Sequence, residues 1–452
     1  MRPGVCSLYK SFFGHLHCRD HVIKMTASLL KNALRTLTLQ GLESITASTF
    51  GFDGFQGATA YYDGRKDDLV TPLPSFRAAV EALKKSEVIS NLFGATQAPR
   101  IALQFVFMAY ADARNWNSHE AAFESVWNGF VRELDTPTWT FAAVANIQNV
   151  ECSESHLELV DGVSLRERSC PELEQLLGWG AFELNALMQD WMETSGSSYV
   201  FLLQKKVPKT PDNFLMLDDG NAYVRAERAL LALRLVGPGD IRIGRLFLAR
   251  PASFNVGISG IHSSGFSVWH PGPAYKLTPD KIPDVQRWYE EISSLQSRND
   301  KQTRSLGLAL RSFSSIYDRH LHQAEDRVLD AITTLEALWK LDKELTFRLS
   351  FRTAALLGET DDERVRLYEI VSHYYKVRSK IVHGTALSKK EAGQVAEDEP
   401  IRSIVRRALR AFVHLGNNPS DWTLARLDKE ADMVLLHSNR RQSLRVAMGI
   451  AG

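Results

Sequence analysis

The chain is poor in cysteine. It has four in 452 residues, Cys6, Cys18, Cys152 and Cys170, and none forms a CxxC pair. This excludes a disulfide-built scaffold and the paired zinc-thiolate motifs, and it fits a reducing compartment. A dominant charge is missing too. Lys and Arg total 54 and Asp and Glu 53, leaving a net charge of +1. No global field therefore draws the chain to nucleic acid or membrane, and any such attraction must come from a local patch. Long apolar runs are absent. The strongest, IALQFVFMAYADA, is interrupted by Gln104 and Asp112 and is too short to span a bilayer. There is no low-complexity tract and no Walker-A sequence, and GPGD at 237–240 reads as a turn. The opening MRPGVCSLYKSFFGHLHCRDHVIKM lacks a continuous apolar core. Residues 1–25 therefore read as a disordered extension rather than a signal peptide, with Met25 as an alternative start and the cytoplasm as the expected location. His15, His17, Cys18 and His21 lie close together with Cys6 nearby. Their types suit zinc but their spacing matches no familiar finger, so no metal or cofactor is assigned.

What is present divides into two textures. Residues 26–50 and 74–93 have helical patterning, and SHEAAFESVWNGFVREL places Ala122, Val126, Phe130 and Leu134 four residues apart. A Gly/Tyr-rich piece between the first two predicts a loop or short hairpin. Then come WTFAAVANIQNVEC, SHLELVDGVSLRER, SSYVFLLQKKV, DIRIGRLFLAR and GFSVWHPG, short β-branched and aromatic runs separated by turn residues. The Asp161–Gly162 pair between alternating runs predicts a tight hairpin. Helical patterns interrupt the strands at 171–192 and 223–235. After HPGPAYKLTPDKIPD only helices are expected: 282–297, 301–317, 321–342, 345–357, 363–383, 401–415 and 421–437. The fold class is an α+β N-terminal region, 26–270, followed by an all-α C-terminal bundle, 280–440, with a tail at 441–452.

The stretch VRLYEIVSHYYKVRSKIVHG raises the functional question. Val371, Tyr375 and Val382 recur on one side of a helix, and Arg378 falls between them. A cation on an apolar stripe needs a partner, because burying it unpaired is costly. His383 follows five residues later, roughly 7.5 Å along a helix axis. Gly384 comes next, where a helix C-terminus is expected. Arginine can stabilise charge on phosphoryl oxygens and histidine can move protons near neutrality. RNA carries its own nucleophile in the 2′-OH, so this pair suffices without a metal. Taken alone, an Arg-x4-His spacing is common, and a structural ion pair with a helix-capping histidine is by far its more usual meaning.

The surroundings point further. VRSKIVHG, the Tyr-rich helix before it, LDAITTLEALW at 329–339 and FRLSFRTAALLG at 347–358 together resemble the HEPN ribonucleases, in particular their ApeA-like branch. The resemblance covers roughly residues 300–415. It implies a helical bundle, catalytic Arg378 and His383, no cofactor, and a homodimer in which two antiparallel helices bring two dyads to one RNA-cleaving cleft. On this view the apolar stripe is the dimer interface and RNA phosphate is the partner of Arg378. The ApeA-like branch is associated with defence against phage, which implies a sensor or regulator at 26–270 responding to a phage-derived or small-molecule trigger. Many active members carry Asn, Asp or His after the arginine; this chain has Ser379, which leaves a catalytically silent RNA- or nucleotide-binding scaffold as the alternative. Supporting positions are Ser379, Tyr375 and Glu336, the last resembling the family's recurring glutamate. Lys380 is either a phosphate contact or a solvated lysine. Arg402, Arg406 and Arg410, at i, i+4 and i+8, form a basic line that could track RNA.

Overall fold

The computed structural model describes residues 16–47, 67–112, 118–160, 162–167, 199–209, 219–249, 259–261, 272–298, 303–319, 323–340 and 344–450. Helices come first: α1 (Leu16–Ala47), α2 (Pro74–Lys85), α3 (Glu87–Phe93), α4 (Ala98–Asp112) and α5 (His119–Asp135), with a single turn at Asp67–Val70. The helix expected over 74–93 breaks at Ser86, whose extended backbone ends α2 and whose hydroxyl accepts from the Ile89 amide to start α3. Leu34, Leu37, Phe105, Phe123 and Phe130 are buried together, and Phe105 meets Phe130 edge-on at 5.0 Å. This is a complete helical core of its own.

The strands are β1 (Thr138–Gln148), β2 (Val150–Cys152), β3 (His156–Val160), β4 (Val163–Glu167) and β5 (Tyr199–Pro208). After helix α6 (Asp219–Val236) come β6 (Arg242–Ala249), β7 (Ser259–Ile261) and β8 (Tyr275–Leu277). Six of them form a sheet in the order β3-β4-β5-β1-β6-β7, antiparallel throughout. β2 and β8 pair separately and in parallel. The β3–β4 hairpin turns at Gly162, with φ of 64°. A Cβ there would stand 2.4 Å from the Gln204 carbonyl oxygen, so glycine is required. Asn149 occupies the left-handed region at φ 61° between β1 and β2. Its amide donates to the carbonyls of Asp240, Gly272 and Pro273 at 3.0–3.1 Å, tying this corner of the sheet to the turn after α6.

The remaining helices are α7 (Ile282–Ser297), α8 (Thr303–Asp318), α9 (Ala324–Trp339), α10 (Leu345–Leu357), α11 (Asp361–Val382), α12 (Lys389–Ala396), α13 (Glu399–Asn417), α14 (Leu424–Leu436) and α15 (Ser438–Ala447). The segment expected to be a tail therefore opens with helix α15, in which Leu444 and Arg445 are buried. Arg445 donates to the Leu356 and Gly358 carbonyls at 2.8 and 3.0 Å, closing the C-terminus of α10.

The boundary expected near 270–280 is not a division of the core. Sheet and bundle share one apolar cluster running from Ala143 to Met448, while α1–α5 hold the other. Helix α6 explains this. Every residue from Ala229 to Leu235 is buried, so the second half of this helix has no solvent face, while Val224 and Glu227 leave the first half open to solvent. It packs on β5 and β6 and also on α7 and α13. A segment buried all round belongs between two layers rather than on one. The strand expected at GFSVWHPG, the helix at 171–192 and the Gly/Tyr-rich piece at 50–68 fall outside the described residues, apart from Asp67, Asp68 and Gly272. Among the described residues no helix is long and apolar enough to cross a membrane.

Candidate active site

Helix α11 has its limits written into its ends. Thr360 caps the start by accepting from the Glu363 amide, and Asp361, Asp362 and Glu363 oppose the positive end of the dipole. At the other end the Thr385 amide donates to the Lys380 carbonyl at 2.8 Å and the Gly384 amide to the Ile381 carbonyl at 3.0 Å. With Gly384 at φ 67°, this is a complete Schellman closure. His383 is the C-cap residue, one beyond the last helical position.

The face of α11 is not the one the stripe suggested. Val371 and Tyr375 are buried in the chain's own core together with Leu367, Tyr374 and Val377, under α9, α10 and α13. Only Val382, 55% exposed, remains outside. The expected interface cannot therefore use Val371 or Tyr375. The apolar side of α11 is covered by helices of the same chain.

Arg378 sits at the edge of that covered side. Its Nη2 lies 3.5 Å from Glu336 Oε2 on α9, with side-chain exposures of 28% and 22%, and its guanidinium stands 5.8 Å from the centre of the Tyr375 ring. Burial pushes the Glu336 carboxyl above the usual carboxylate range, against the pull of Arg378 and of a hydrogen bond from the Tyr375 hydroxyl. Burial also raises Tyr375, and the Glu336 charge adds to that. Arg378, Tyr375 and Glu336 thus come together as expected, through one long ion pair.

His383 stands apart. Its side chain is exposed and makes no hydrogen bond or ion pair among the described residues. Five residues of α-helix leave two positions roughly 140° apart around the axis, so Arg378 and His383 of one chain point to different sides. Ser379 is half-buried between them, and its carbonyl accepts from the His383 amide at 3.1 Å. Lys380 is not a loose cation: its Nζ lies 2.6 Å from Glu391 Oε1 on α12.

The basic line of α13 is overturned. Arg402 and Arg406 are buried. Arg402 pairs with Asp240, with Asp398 at 3.1 Å and with Glu399 at 2.9 Å. Arg406 donates to the Arg234 carbonyl at 2.9 Å and the Tyr317 hydroxyl at 3.1 Å, and pairs with Glu399. Arg410 donates to the Leu235 and Val236 carbonyls, closing the end of α6. These guanidiniums weld the sheet layer to the bundle and leave no basic track for RNA. Arg327 completes the cluster, its Nε 3.1 Å from Asp398 Oδ2 but out of line for a hydrogen bond. Sequence reading missed Asp240 and Arg327. The acids Asp398 and Glu399, four and three residues ahead of Arg402, were the readable signal that this arginine was already paired.

A cleft of about 300 Å³ opens between the start of α9 and α12, lined by Glu325, Asp326, Leu387 and Val395 among others. Its acidic rim is wrong for phosphate. Among the described residues no three His, Cys, Asp or Glu side chains gather to hold a metal, and the side chains of the His15–His21 group lie outside what is described. Family models, curated proteins and solved structures yield no significant match to this chain.

Proposed function

We propose that this chain is a HEPN-type, metal-independent endoribonuclease with Arg378 and His383 as its catalytic residues. One contrast carries the reading. Arg402 and Arg406, and Arg352 at 2.6 Å from Asp432, are held by short contacts. Among the described residues Arg378 keeps one ion pair, of 3.5 Å, at the edge of solvent. An incoming phosphate can displace or share such a contact, because two short charge-assisted bonds to guanidinium outweigh one long one. His383, exposed on a rigid helix end, can reach substrate without breaking any bond of its own.

In this mechanism Arg378 stabilises charge on the non-bridging phosphoryl oxygens. The 2′-OH attacks phosphorus while one imidazole takes its proton, and a second imidazole protonates the departing 5′-oxygen. One chain supplies a single His383, on a different side from its Arg378. Two chains related by a twofold axis supply both histidines and both arginines. The surface available for such pairing is the outward face of α11 with Val382, Ser379 and His383. Residues 26–270 then serve as the regulatory part, and the location is the cytoplasm.

The test is cleavage in EDTA. RNA should be cut to a 2′,3′-cyclic phosphate and a 5′-hydroxyl, a 2′-deoxy residue at the cut site should resist, and specific activity should fall on dilution. Strict Mg²⁺ dependence or cleavage of DNA would overturn the mechanism. Ser379 and the divergence of the dyad within one chain favour a second reading, a silent RNA-binding scaffold, which the same assay would reveal as binding without products.

A further inference from the structure

The connection that follows His383 is held at both ends, and Lys380 takes part in both. Its carbonyl accepts the Thr385 amide that completes the Schellman closure around His383. Its ammonium reaches across to Glu391 at 2.6 Å. Glu391 is itself anchored: it stands at the third position of α12, where its Oε2 accepts from the Ser388 amide at 2.9 Å and the Ser388 hydroxyl at 2.8 Å in a capping box. The Lys380 ammonium, with the Ser388 bonds behind it, holds the Glu391 carboxylate down to about 2, so this carboxylate stays ionised at any working pH. Residues 384–388 are thereby strung between two helices. The Lys380–Glu391 ion pair ties the end of α11 to the start of α12, and the Tyr374 hydroxyl, donating to the Gln394 and Glu397 carbonyls at 2.9 and 3.2 Å, ties α11 to the end of α12. Gly384 at φ 67° has nothing within 4 Å of where its Cβ would be. The connection is therefore not wedged in place by packing at that point, and apart from Leu387, which rests against the core, its position depends on bonds.

Building on the nuclease reading, we infer that Lys380 is a positioning residue for His383, with Glu391 as its anchor, and not a phosphate contact. An ammonium held 2.6 Å from an anchored carboxylate must give up that contact before it can reach a phosphate. What it controls is the angle at which α11 ends, and hence where the His383 imidazole stands.

Two variants separate these roles. If Lys380 were a phosphate contact, Lys380→Met would raise KM and flatten the salt dependence of RNA binding, while Glu391→Gln would free the lysine and lower KM. If Lys380 is a clamp, both variants move together. Each should lower kcat on the order of tenfold, the scale of a small misplacement of a reacting group, with KM within about twofold, and Lys380→Arg should restore kcat. A second arm does not need activity. Amide hydrogen exchange at Gly384 and Thr385 should quicken on the order of tenfold in both variants, reflecting opening of that end of α11, and return to the wild-type rate in Lys380→Arg. Opposite shifts in KM, or unchanged exchange at Gly384 and Thr385, overturn the clamp. If wild-type protein fails to cut RNA at all, the nuclease reading fails and the exchange arm alone decides the clamp.

Discussion

Helices α11 and α13 carry arginines at the border of an apolar face, and the two sets meet opposite fates. On α13, Arg402, Arg406 and Arg410 reach across a layer boundary to Asp240, the Arg234 carbonyl and the end of α6. On α11, Arg378 has one ion-pair partner among the described residues, Glu336 at 3.5 Å, with the Tyr375 ring beside it. The difference lies in what faces each helix. Helix α13 looks onto a neighbouring helix end and a buried turn, both rich in unpaired oxygens; Arg378 looks past the rim of α9 toward solvent. A basic residue beside an apolar stripe thus reports burial or function only once its facing partners are known.

The comparison can be broken by removing one arginine of each kind. Arg402→Met should cost about 3–5 kcal/mol, because the buried Asp240 and Asp398 then share only Arg327, at 3.9 and 3.1 Å, as a counter-ion. Urea unfolding of the bundle would register it, and a loss below about 1 kcal/mol would mean the cluster is not the weld described above. Next in size, Arg378→Ala and His383→Ala should each reduce RNA cleavage by at least ~100-fold, with the bundle's unfolding midpoint almost unchanged. Binding of RNA should survive His383→Ala better, since only the arginine carries a permanent charge. Early melting of both, or normal cleavage by both, would remove them from the site. The smallest effect concerns Glu336. Its carboxyl is raised above the ordinary 4.5, so it favours folding below that value, and the advantage is lost as pH rises through the raised one. Glu336→Gln, neutral throughout, should therefore melt roughly 1–3 °C above wild type at pH 7 and lose that margin as pH drops below the ordinary value. An equal margin at pH 4 and pH 7 would show that ionisation of Glu336 is not involved.

Much of the fold was legible in periodicity and punctuation. The seven bundle helices expected from three- and four-residue spacing are there, with α12 and α15 unforeseen, Gly162 turns the expected hairpin, and Gly384 closes α11 as a C′ glycine. These features depend on neighbours in sequence. The misreadings share the opposite cause. Val371 and Tyr375 were recognisably an apolar stripe, but a stripe does not say whether its cover comes from the same chain or another copy. Arg402 and Asp240 lie 162 residues apart, beyond any local pattern, and the turn GPGD gave no hint that its aspartate anchors a cluster. The division of the core was hidden because α6 reads as one more helix; only the burial of every residue from Ala229 to Leu235 shows that it sits between layers. Of the site, the pairing of Arg378 with Glu336 was readable by resemblance, while the engagement of Lys380 with Glu391 required knowing how α12 returns.

The separate core of α1–α5 changes what a melting curve on this chain means. Two apolar clusters without shared residues need not unfold in one cooperative step, and a single midpoint is then not a property of the molecule. Calorimetry would show two endotherms, each with its own enthalpy. A variant in the bundle would displace one and leave the other as an internal reference within the same trace.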